Sequence, residues 1–456
     1  MFEKKLIIVL CHISPPYFVM LMKELKEVIL MAEKWDVVII GGGLAGYVAA
    51  NILCEKTNLS VLLLESRRKT GGRAITEKRN GTFFNLGPHA LYKEGNAKPV
   101  LEELGIKLSG NPPGTSGILL EGATVYEAPF SPAGILKTTF LSWRERIEWA
   151  RVVMKLNNTD PQTLAHQPFK QWGEQTTDSF KVRSLLYVLG RLATYCHAPE
   201  KASAKVMVNH MKLAMGGTIY LDGGWQTIID QLHNRAVVSR VQVRTRNVVR
   251  KINANAVNGC FQVVLADGSE IIGKQVLYTG SPNELVSILD HTDANSALSF
   301  FREMKPVRAA TLDIALKRLP QPARLFAMGI DEPFYYSVHS AYAKLSESGQ
   351  NTVLHVLKYL REEESGPGEG IQDELHKFLE RIQPEWEHQL IEKRCLPRII
   401  VNQRLPMAED EKRLELAEKI IPGLFIAGDW ASPDLILSEA AVSSAKKVAL
   451  QMIQNE

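Results

Sequence analysis

The sequence predicts an α/β fold in which a domain built on a largely parallel sheet is interleaved with a second, α+β domain. Three observations lead to this prediction. The chain has 456 residues, more than one hydrophobic core usually serves. Short β-branched apolar runs alternate with helical stretches over residues 36–65 and again near the C-terminus, which is typical of strands buried in a parallel sheet. The region after residue 105 lacks this alternation and is rich in Trp, Tyr, Phe and Pro.

The elements near the N-terminus form a complete βαβ unit. An apolar strand over residues 37–40 is followed at once by a glycine-rich turn. A helical stretch over 44–56 then leads to a second buried strand over 60–64.

The remaining pattern divides the chain into interleaved segments. Predicted helices cover residues 143–154, 180–195, 225–236 and 438–453. Predicted strands cover residues 241–243, 248–253, 261–265, 276–278 and 423–427. We assign residues 31–105, 215–290 and 395–456 to the sheet domain, and residues 106–214 and 291–394 to the second domain.

Charge and cysteine content exclude several classes of protein. A net charge of +4 from 54 basic and 50 acidic residues is too weak a field for a nucleic-acid partner. The five cysteines show neither CxxC nor metal-ligand spacing, so no disulfide framework and no metal site is predicted. A reducing, cytoplasmic location fits this cysteine usage best.

Residues 1–30 differ from the rest and are interpreted as a leader or extension. The apolar run over residues 6–13 is too short to span a bilayer. A truncated signal peptide, or a short amphipathic helix through Leu21, Leu25 and Val28 against a membrane or a neighbour, stay open as alternatives. We favour a dispensable leader, because Met31 opens a segment that would make a natural start.

The turn after the first strand carries the most specific motif. Gly41, Gly43 and Gly46 satisfy GxGxxG directly after a strand and at the start of a helix. Gly41 permits the tight turn, Gly43 lets the backbone approach a pyrophosphate, and Gly46 allows close helix-to-strand packing. Glu65 ends the second strand, where an acidic side chain hydrogen-bonds the ribose hydroxyls of a dinucleotide. The motif alone does not separate NAD from FAD.

Further elements separate the two cofactors. Thr70 to Arg73 reads TGGR, and Gly428 with Asp429 follows a strand near the C-terminus. With these elements the sequence resembles the flavin-containing amine oxidase superfamily, which also holds protoporphyrinogen oxidases and phytoene desaturases. The matching segments are residues 41–46, 65, 71–73, 86–89, 223–224, 249–252 and 425–430.

The resemblance implies a Rossmann-like FAD-binding domain interleaved with an α+β substrate domain. The sheet domain would hold FAD, and the C-terminal helix would point its positive end at the flavin. Family members usually carry glycine where this chain has Ala440. The cofactor-binding residues implied are Gly41, Gly43, Leu44, Ala45, Gly46, Glu65, Gly72, Arg73, Val249, Gly428, Asp429 and Ala440.

The reaction is harder to predict, and three hypotheses stay open. Amine oxidases of this superfamily usually place a lysine near the flavin and an aromatic residue before the C-terminal helix, where this chain reads Leu312 and Leu437. A shift in register would make Lys317 that lysine, and His89 is a second weak candidate for a catalytic group.

Residues 334–345 and 435–446 look like the phytoene-desaturase branch, whose members act on long apolar molecules and sit on membranes. We therefore predict dehydrogenation or saturation of a small apolar, isoprenoid, carotenoid-like or tetrapyrrole substrate by hydride transfer to flavin N5. Peripheral membrane contact is kept as an expectation, and no oligomeric state is predicted. A flavin amine oxidase that releases hydrogen peroxide and a catalytically inactive FAD-binding protein are the alternatives.

Overall fold

The computed structural model describes residues 33–257, 259–290, 296–364, 368, 370–417 and 421–455. The interpretation of residues 1–30 as a leader lies outside these described residues. Part of the acidic, glycine-rich segment 362–370 does so as well.

The described elements run through the chain in the following order. The strands are β1 Glu33–Ile40, β2 Val61–Leu64, β3 Thr76–Arg79, β4 Thr82–Asn85, β5 Leu91–Tyr92, β6 Gly110–Asn111, β7 Ile118–Glu121, β8 Thr124–Glu127, β9 Thr218–Leu221, β10 Gln242–Arg244, β11 Val249–Val257, β12 Cys260–Leu265, β13 Glu270–Tyr278, β14 Leu289–Asp290, β15 Val307–Leu316, β16 Phe326–Gly329, β17 Phe334–Val338, β18 Thr352–Leu360, β19 Leu390–Asn402 and β20 Leu424–Ile426. The α-helices are α1 Leu44–Lys56, α2 Ala97–Glu103, α3 Pro132–Lys137, α4 Trp143–Asn158, α5 Phe169–Thr176, α6 Phe180–Thr194, α7 Ala204–Met215, α8 Gln226–Val238, α9 Pro282–Ile288, α10 Ser296–Glu303, α11 Ile371–Ile382, α12 Asp410–Ala417 and α13 Leu437–Gln454.

The first sheet carries the predicted βαβ unit. Its strand order is β10-β2-β1-β13-β12-β11-β14, and β20 pairs with β13. Strand β1 pairs in parallel with β2 and with β13, whereas β12 is antiparallel to both of its neighbours. Helix α1 packs against α8 and α13. It is buried on every face over Leu44 to Leu53, which explains its uniformly apolar sequence. The prediction of an α/β fold is confirmed.

The second sheet forms the core of the second predicted domain. Its strand order is β19-β15-β18-β17-β16-β7-β8. Helix α11 packs its apolar stripe of Ile371, Leu375 and Phe378 against one face. Helices α4 to α7 pack among themselves and against the other side of this domain. The boundaries proposed between the two domains stay a prediction.

Within the described part of the chain, no helix has the length and apolar character needed to cross a bilayer. Helix α13, with 18 residues, is the longest of them, and it carries Glu439, Lys446 and Lys447.

Candidate cofactor and substrate cavity

The turn between β1 and α1 has the geometry that the glycine motif predicts. Gly41 has φ +114°, a backbone conformation that residues with a side chain rarely adopt. A Cβ placed on Gly46 would lie 2.0 Å from the carbonyl oxygen of Gly41, so only glycine allows this approach of helix to strand. The N-terminus of α1 has no side-chain cap and no acidic residue in its first turn. Its free N–H groups therefore suit an anion such as a pyrophosphate.

Glu65 is held in place by backbone donors. Its Oε2 accepts a hydrogen bond from the N–H of Gly42 at 2.9 Å, and its Oε1 accepts one from the N–H of Arg67 at 2.8 Å. The carboxylate still faces the cavity that begins at the glycine turn. Because each carboxylate oxygen has two lone pairs, it keeps acceptor capacity for ribose hydroxyls.

Arg73 and Asp429 meet although 356 positions separate them in the sequence. Two guanidinium nitrogens of Arg73 lie 2.5 and 2.6 Å from the two carboxylate oxygens of Asp429, which is a bidentate ion pair. The backbone N–H of Gln403 donates to the same carboxylate at 2.8 Å. Asp429 thus orients Arg73 at the wall of the cavity, a role that the sequence does not reveal.

A cavity of about 1280 Å³ runs from the glycine turn into the domain built on the second sheet. It is large enough to contain a dinucleotide together with a second molecule. Most of the cofactor-binding residues implied by the sequence line it, namely Gly41, Gly43, Leu44, Ala45, Glu65, Gly72, Arg73, Val249, Gly428 and Asp429.

Three singled-out residues are not among those that line the cavity. Gly46 lies against Gly41, in agreement with its packing role. Ala440 is fully buried on the core side of α13, and Ser438 and Ala441 line the cavity instead, because successive helix positions point about 100° apart. Lys317 is exposed just beyond the end of β15.

Strand β15 does not bring the expected lysine position to the cavity either. Leu312 is fully buried in the core that packs against α11. Its neighbours Thr311 and Asp313 point to the opposite face of the strand, as alternate residues in a strand must. No residue of β15 is among those that line the cavity.

His89 does line the cavity, next to Trp225, whose ring centroid lies 5.4 Å away. Its Nδ1 lies 3.1 Å from the carbonyl oxygen of Gly87. Burial lowers the pKa of His89 to about 4, so the imidazole is neutral at pH 7. A role as a general acid near neutral pH is therefore not favoured, and His89 stays a weak candidate.

A buried ionic cluster lies behind the loop that carries His89. Asp313 accepts a hydrogen bond from the hydroxyl of Thr311 at 2.9 Å and from Nε of Arg394 at 3.0 Å, and its Oδ1 lies 2.7 Å from Nδ1 of His355. Burial opposes ionisation, but His355 and Arg394 outweigh it and hold the pKa of Asp313 below its usual range. Arg394 also donates to the backbone carbonyl of Asn85, which fixes this loop.

The half of the cavity that lies in the second domain, here called the substrate half for the role proposed below, is apolar and aromatic. Tyr195 donates its hydroxyl to the carbonyl oxygen of Pro88 at 2.9 Å, and Tyr92 donates to that of Ala193 at 2.6 Å. Burial raises the pKa of both phenols, so these groups are neutral. Apolar wall residues in this half include Phe130, Trp149, Val153, Leu189, Leu192 and Phe326.

Carboxylates among the residues that line the cavity are confined to the sheet domain. They are Glu65, Glu284 and Asp429. Four cationic side chains are among the described residues that line the cavity. Arg67 and Arg73 lie in the segment near the glycine turn, and Lys93 and Arg398 lie elsewhere on the wall. Among the residues that the structure describes, this half of the cavity therefore presents no carboxylate to a cationic ligand.

The uncapped helix N-terminus, the oriented Glu65 and the long cavity together fit an extended dinucleotide. A family model described as flavin containing amine oxidoreductase matches residues 44–453. The chain belongs to this family. Membership confirms FAD as the cofactor, and it confirms the predicted superfamily of FAD-dependent oxidoreductases.

Known relatives act on different kinds of molecule. Polyamine oxidase 2 of Arabidopsis thaliana is 25% identical over 250 residues, which span 52% of this chain and 50% of that protein. Coproporphyrinogen III oxidase of Bacillus subtilis (strain 168) is 22% identical over 306 residues, or 58% of this chain and 64% of that protein. The chain thus matches less than two thirds of the length of either relative.

Solved structures resemble most of the chain. A putrescine oxidase structure with bound putrescine superposes with a TM-score of 0.73 at 16% identity, covering 92% of this chain and 99% of that one. This likeness supports the fold alone.

The sequence analysis did not predict several of the residues that line the cavity. Ser438 and Ala441 could have been found from helical spacing, because residues three apart share a face. The Arg73–Asp429 pair and the Asp313 cluster could not, because no local pattern indicates which distant side chains meet.

Proposed function

We propose that this protein is an FAD-dependent oxidoreductase that dehydrogenates or saturates a small apolar molecule of the isoprenoid, carotenoid-like or tetrapyrrole kind. The observation that carries the proposal is the apolar substrate half of the cavity, whose wall contains no carboxylate among the described residues. A protonated amine would lose its hydration there without gaining a charged partner. An apolar molecule gains from the same surface.

Bound FAD supplies the two-electron redox chemistry, and the chain supplies binding, orientation and exclusion of water. Val249 and Glu65 lie at one end of the cavity, and the aromatic wall at the other would hold the substrate in one pose. His89, Tyr92 and Tyr195 are neutral at pH 7, so none of these three side chains is a strong base there. Transfer of hydrogen from an activated C–H bond needs such positioning more than a dedicated base.

The test is anaerobic absorbance spectroscopy of the purified flavoprotein. Addition of a polyene or porphyrinogen should bleach the flavin bands, or a conjugated polyene should restore the bands of the dithionite-reduced protein. Bleaching by polyamines alone would contradict the proposal and favour an amine oxidase. Bands that no donor or acceptor changes would favour an FAD-binding protein without turnover.

A matched pair of wall variants sharpens this test. Leu192→Asp places a carboxylate in the apolar half, whereas Leu192→Met keeps its polarity and approximate volume. We expect the bleaching rate with the apolar donor to fall at least about tenfold in Leu192→Asp and to change little in Leu192→Met. Equal rates in both variants would show that the substrate does not contact this wall.

A further inference from the structure

The wall of the cavity contains several tyrosines, and they differ in what their hydroxyl groups bind. Tyr92 and Tyr195 donate to backbone carbonyl oxygens, which do not take up a proton at neutral pH. The hydroxyl of Tyr335 lies instead 3.3 Å from Nε2 of His339. Tyr335 lines the cavity, so it connects the substrate half to a titratable side chain.

The Tyr335–His339 pair is held in place by its neighbours. Tyr335 belongs to β17, and His339 begins the short turn that follows this strand. The ring of Tyr220 stacks on the imidazole of His339, with centroids 3.8 Å apart and planes 13° apart. The hydroxyl of Tyr220 lies 3.5 Å from that of Tyr335 and 3.3 Å from that of Ser337. All four side chains are buried, so the pair is shielded from bulk water on the side away from the cavity.

Both members of the pair are neutral at pH 7. Burial, together with the nearby His355 and His89, holds the pKa of His339 well below its usual range. Burial raises the pKa of Tyr335. A neutral imidazole has one N–H group and one nitrogen lone pair, so Nε2 either accepts the phenol hydrogen or donates to the phenol oxygen. The pair can therefore take up or release a proton at the wall of the cavity.

A second histidine lies beside His339. The ring of His355 meets that of His339 edge to face, with centroids 4.5 Å apart. Its Nδ1 lies 2.7 Å from the carboxylate oxygen Oδ1 of Asp313. Because that oxygen accepts, Nδ1 carries the hydrogen and Nε2 carries the lone pair. This Nε2 is buried and has no hydrogen-bond partner among the described residues. The histidine next to the pair thus has a nitrogen free to accept a hydrogen.

The proposed reaction releases a proton as well as a hydride. Dehydrogenation removes two hydrogens from neighbouring atoms of the substrate. One leaves with its bonding electron pair and reduces bound FAD. The other leaves as a proton, and its electron pair forms the new double bond. The described wall of the substrate half contains no carboxylate that could accept this proton.

We propose that Tyr335 is the proton-transfer residue of this reaction and that His339 receives the proton behind it, an assignment that rests on the proposed function. In dehydrogenation the oxygen of Tyr335 accepts the substrate proton while the phenol's own hydrogen passes to Nε2 of His339. One O–H bond forms and another breaks, so Tyr335 stays neutral and His339 becomes positive. The electron pair gained by the reduced cofactor in the same cavity offsets this charge. In saturation the proton moves in the opposite direction, from His339 through Tyr335 to a substrate carbon.

Anaerobic stopped-flow measurement of flavin bleaching tests this role, with an isoprenoid polyene and a porphyrinogen as donors. Tyr335→Phe removes only the hydroxyl, and the bleaching rate should fall about 100-fold or more, since a positioned proton-transfer group contributes about 10²–10⁴-fold. Tyr336→Phe is the matched control. Tyr336 is also buried, but it points to the opposite face of β17 and donates to the carbonyl oxygen of Arg324 at 3.0 Å. Its variant should bleach at the wild-type rate.

The part assigned to His339 is tested by His339→Gln. Glutamine can still form a hydrogen bond with the phenol but does not take up its proton, so bleaching should slow as in Tyr335→Phe. The double variant should be no slower than the slower single variant, because two residues that act as a unit have non-additive effects. Absorbance of bound flavin and the melting temperature confirm that each variant is folded.

Two further measurements separate proton transfer from a structural role. In deuterium oxide the wild-type rate should fall, because the phenol hydrogen moves in the same step, and Tyr335→Phe should lose this effect. The affinity of the oxidised protein for the dehydrogenated product is read from the shift of the flavin bands without turnover. It should be nearly the same in Tyr335→Phe and in the wild type.

Equal bleaching rates in Tyr335→Phe and Tyr336→Phe would overturn the role of Tyr335 and leave the proposed function standing. A loss of product affinity as large as the loss of rate would do the same, since the hydroxyl would then only bind. Wild-type protein that neither donor bleaches, and whose dithionite-reduced bands no conjugated polyene restores, would contradict the proposed function and the role of Tyr335 with it.

Discussion

The carboxylate of Glu65 both fixes the neighbouring backbone and faces the cavity, where it can contact a ligand. It accepts the N–H groups of Gly42 and Arg67 and lines the cavity at the end of β2. We predict that Glu65→Ala raises the dissociation constant of FAD about 10- to 150-fold, the equivalent of about 1.5–3 kcal/mol for a lost charge-assisted hydrogen bond. Titration of the apoprotein with FAD measures this. Glu55→Ala, at the far end of α1, should have no effect, and unchanged affinity in Glu65→Ala would refute the ribose contact.

The Asp313 cluster makes a prediction about stability. Asp313→Asn removes the buried carboxylate partner of the Arg394 guanidinium, which is 4% exposed and keeps an ion pair with the partly exposed Glu77 at 3.0 Å. The free energy of unfolding should fall by about 3 kcal/mol, because the buried guanidinium then keeps only the partly exposed Glu77 as a carboxylate partner. Urea denaturation measures this, with the exposed Asp331→Asn as the control.

A double variant separates the ion pair from other effects of the substitution. Asp313→Asn combined with Arg394→Met should lose less stability than the sum of the two single losses, because the buried charge is then removed. Strict additivity would mean that the two side chains do not act as a pair.

At the scale of elements, His210 links α7 to the start of α13. Its Nε2 accepts the N–H of Ile436 at 3.1 Å, and burial lowers its pKa to about 3. In the unfolded chain the His210 imidazole takes up a proton near pH 6.5. The stability that neutral His210 contributes is therefore fully present above that pH and is lost as the pH falls toward 3.

His210→Gln should therefore reduce the acid sensitivity of the fold. Glutamine can still accept the N–H of Ile436 but does not titrate, so between pH 7 and pH 5 the variant should lose about 2 kcal/mol less than the wild type. Urea midpoints at the two pH values measure this. His388→Gln, which replaces an exposed histidine, should retain the wild-type slope. The same slope in His210→Gln would contradict the assigned protonation state.

The local sequence pattern predicted the positions of helices and strands better than it predicted the direction in which single side chains point. The bounds of α1 were predicted as observed, because a glycine turn begins it and a polar segment ends it. Strand β13 begins six residues earlier than the predicted strand at 276. The prediction followed the apolar run alone, whereas the polar residues Glu270 and Gln275 also pair with neighbouring strands. Leu312 and Ala440 were each placed by alignment alone. Ala441, the neighbour of Ala440, lines the cavity, whereas no residue of β15 does.

At the scale of the whole molecule, the cavity draws its wall from both domains. FAD bound there should stabilise the folded state by RT ln(1 + [FAD]/Kd), about 2.7 kcal/mol at a concentration 100 times Kd. Calorimetry should show one transition whose melting temperature rises with FAD concentration. FMN lacks the adenosine that would reach Glu65, so it should raise the melting temperature less. Two transitions, of which FAD moves only one, would show that the domains unfold separately.

The arrangement of distant segments was predictable only through the resemblance. Composition and periodicity indicated two interleaved units, but not that Arg73 meets Asp429 or that β19 brings Arg394 to Asp313. Such pairs depend on the packing of elements far apart in sequence, which leaves no periodic trace. On α4, the apolar residues Trp143, Ile147 and Met154 recur at helical spacing, but only the structure shows that they are exposed and that the opposite side of the helix is buried.

Two of the seven tryptophans, Trp149 and Trp225, line the cavity. An oxidised flavin absorbs light in the range where indole rings emit, and energy transfer between such groups weakens steeply with distance. The intrinsic fluorescence of the protein therefore reports on its own cavity. Binding of FAD in the cavity should quench the tryptophan emission. Replacing Trp225 by phenylalanine should reduce this quenching more than replacing the remote Trp386 does.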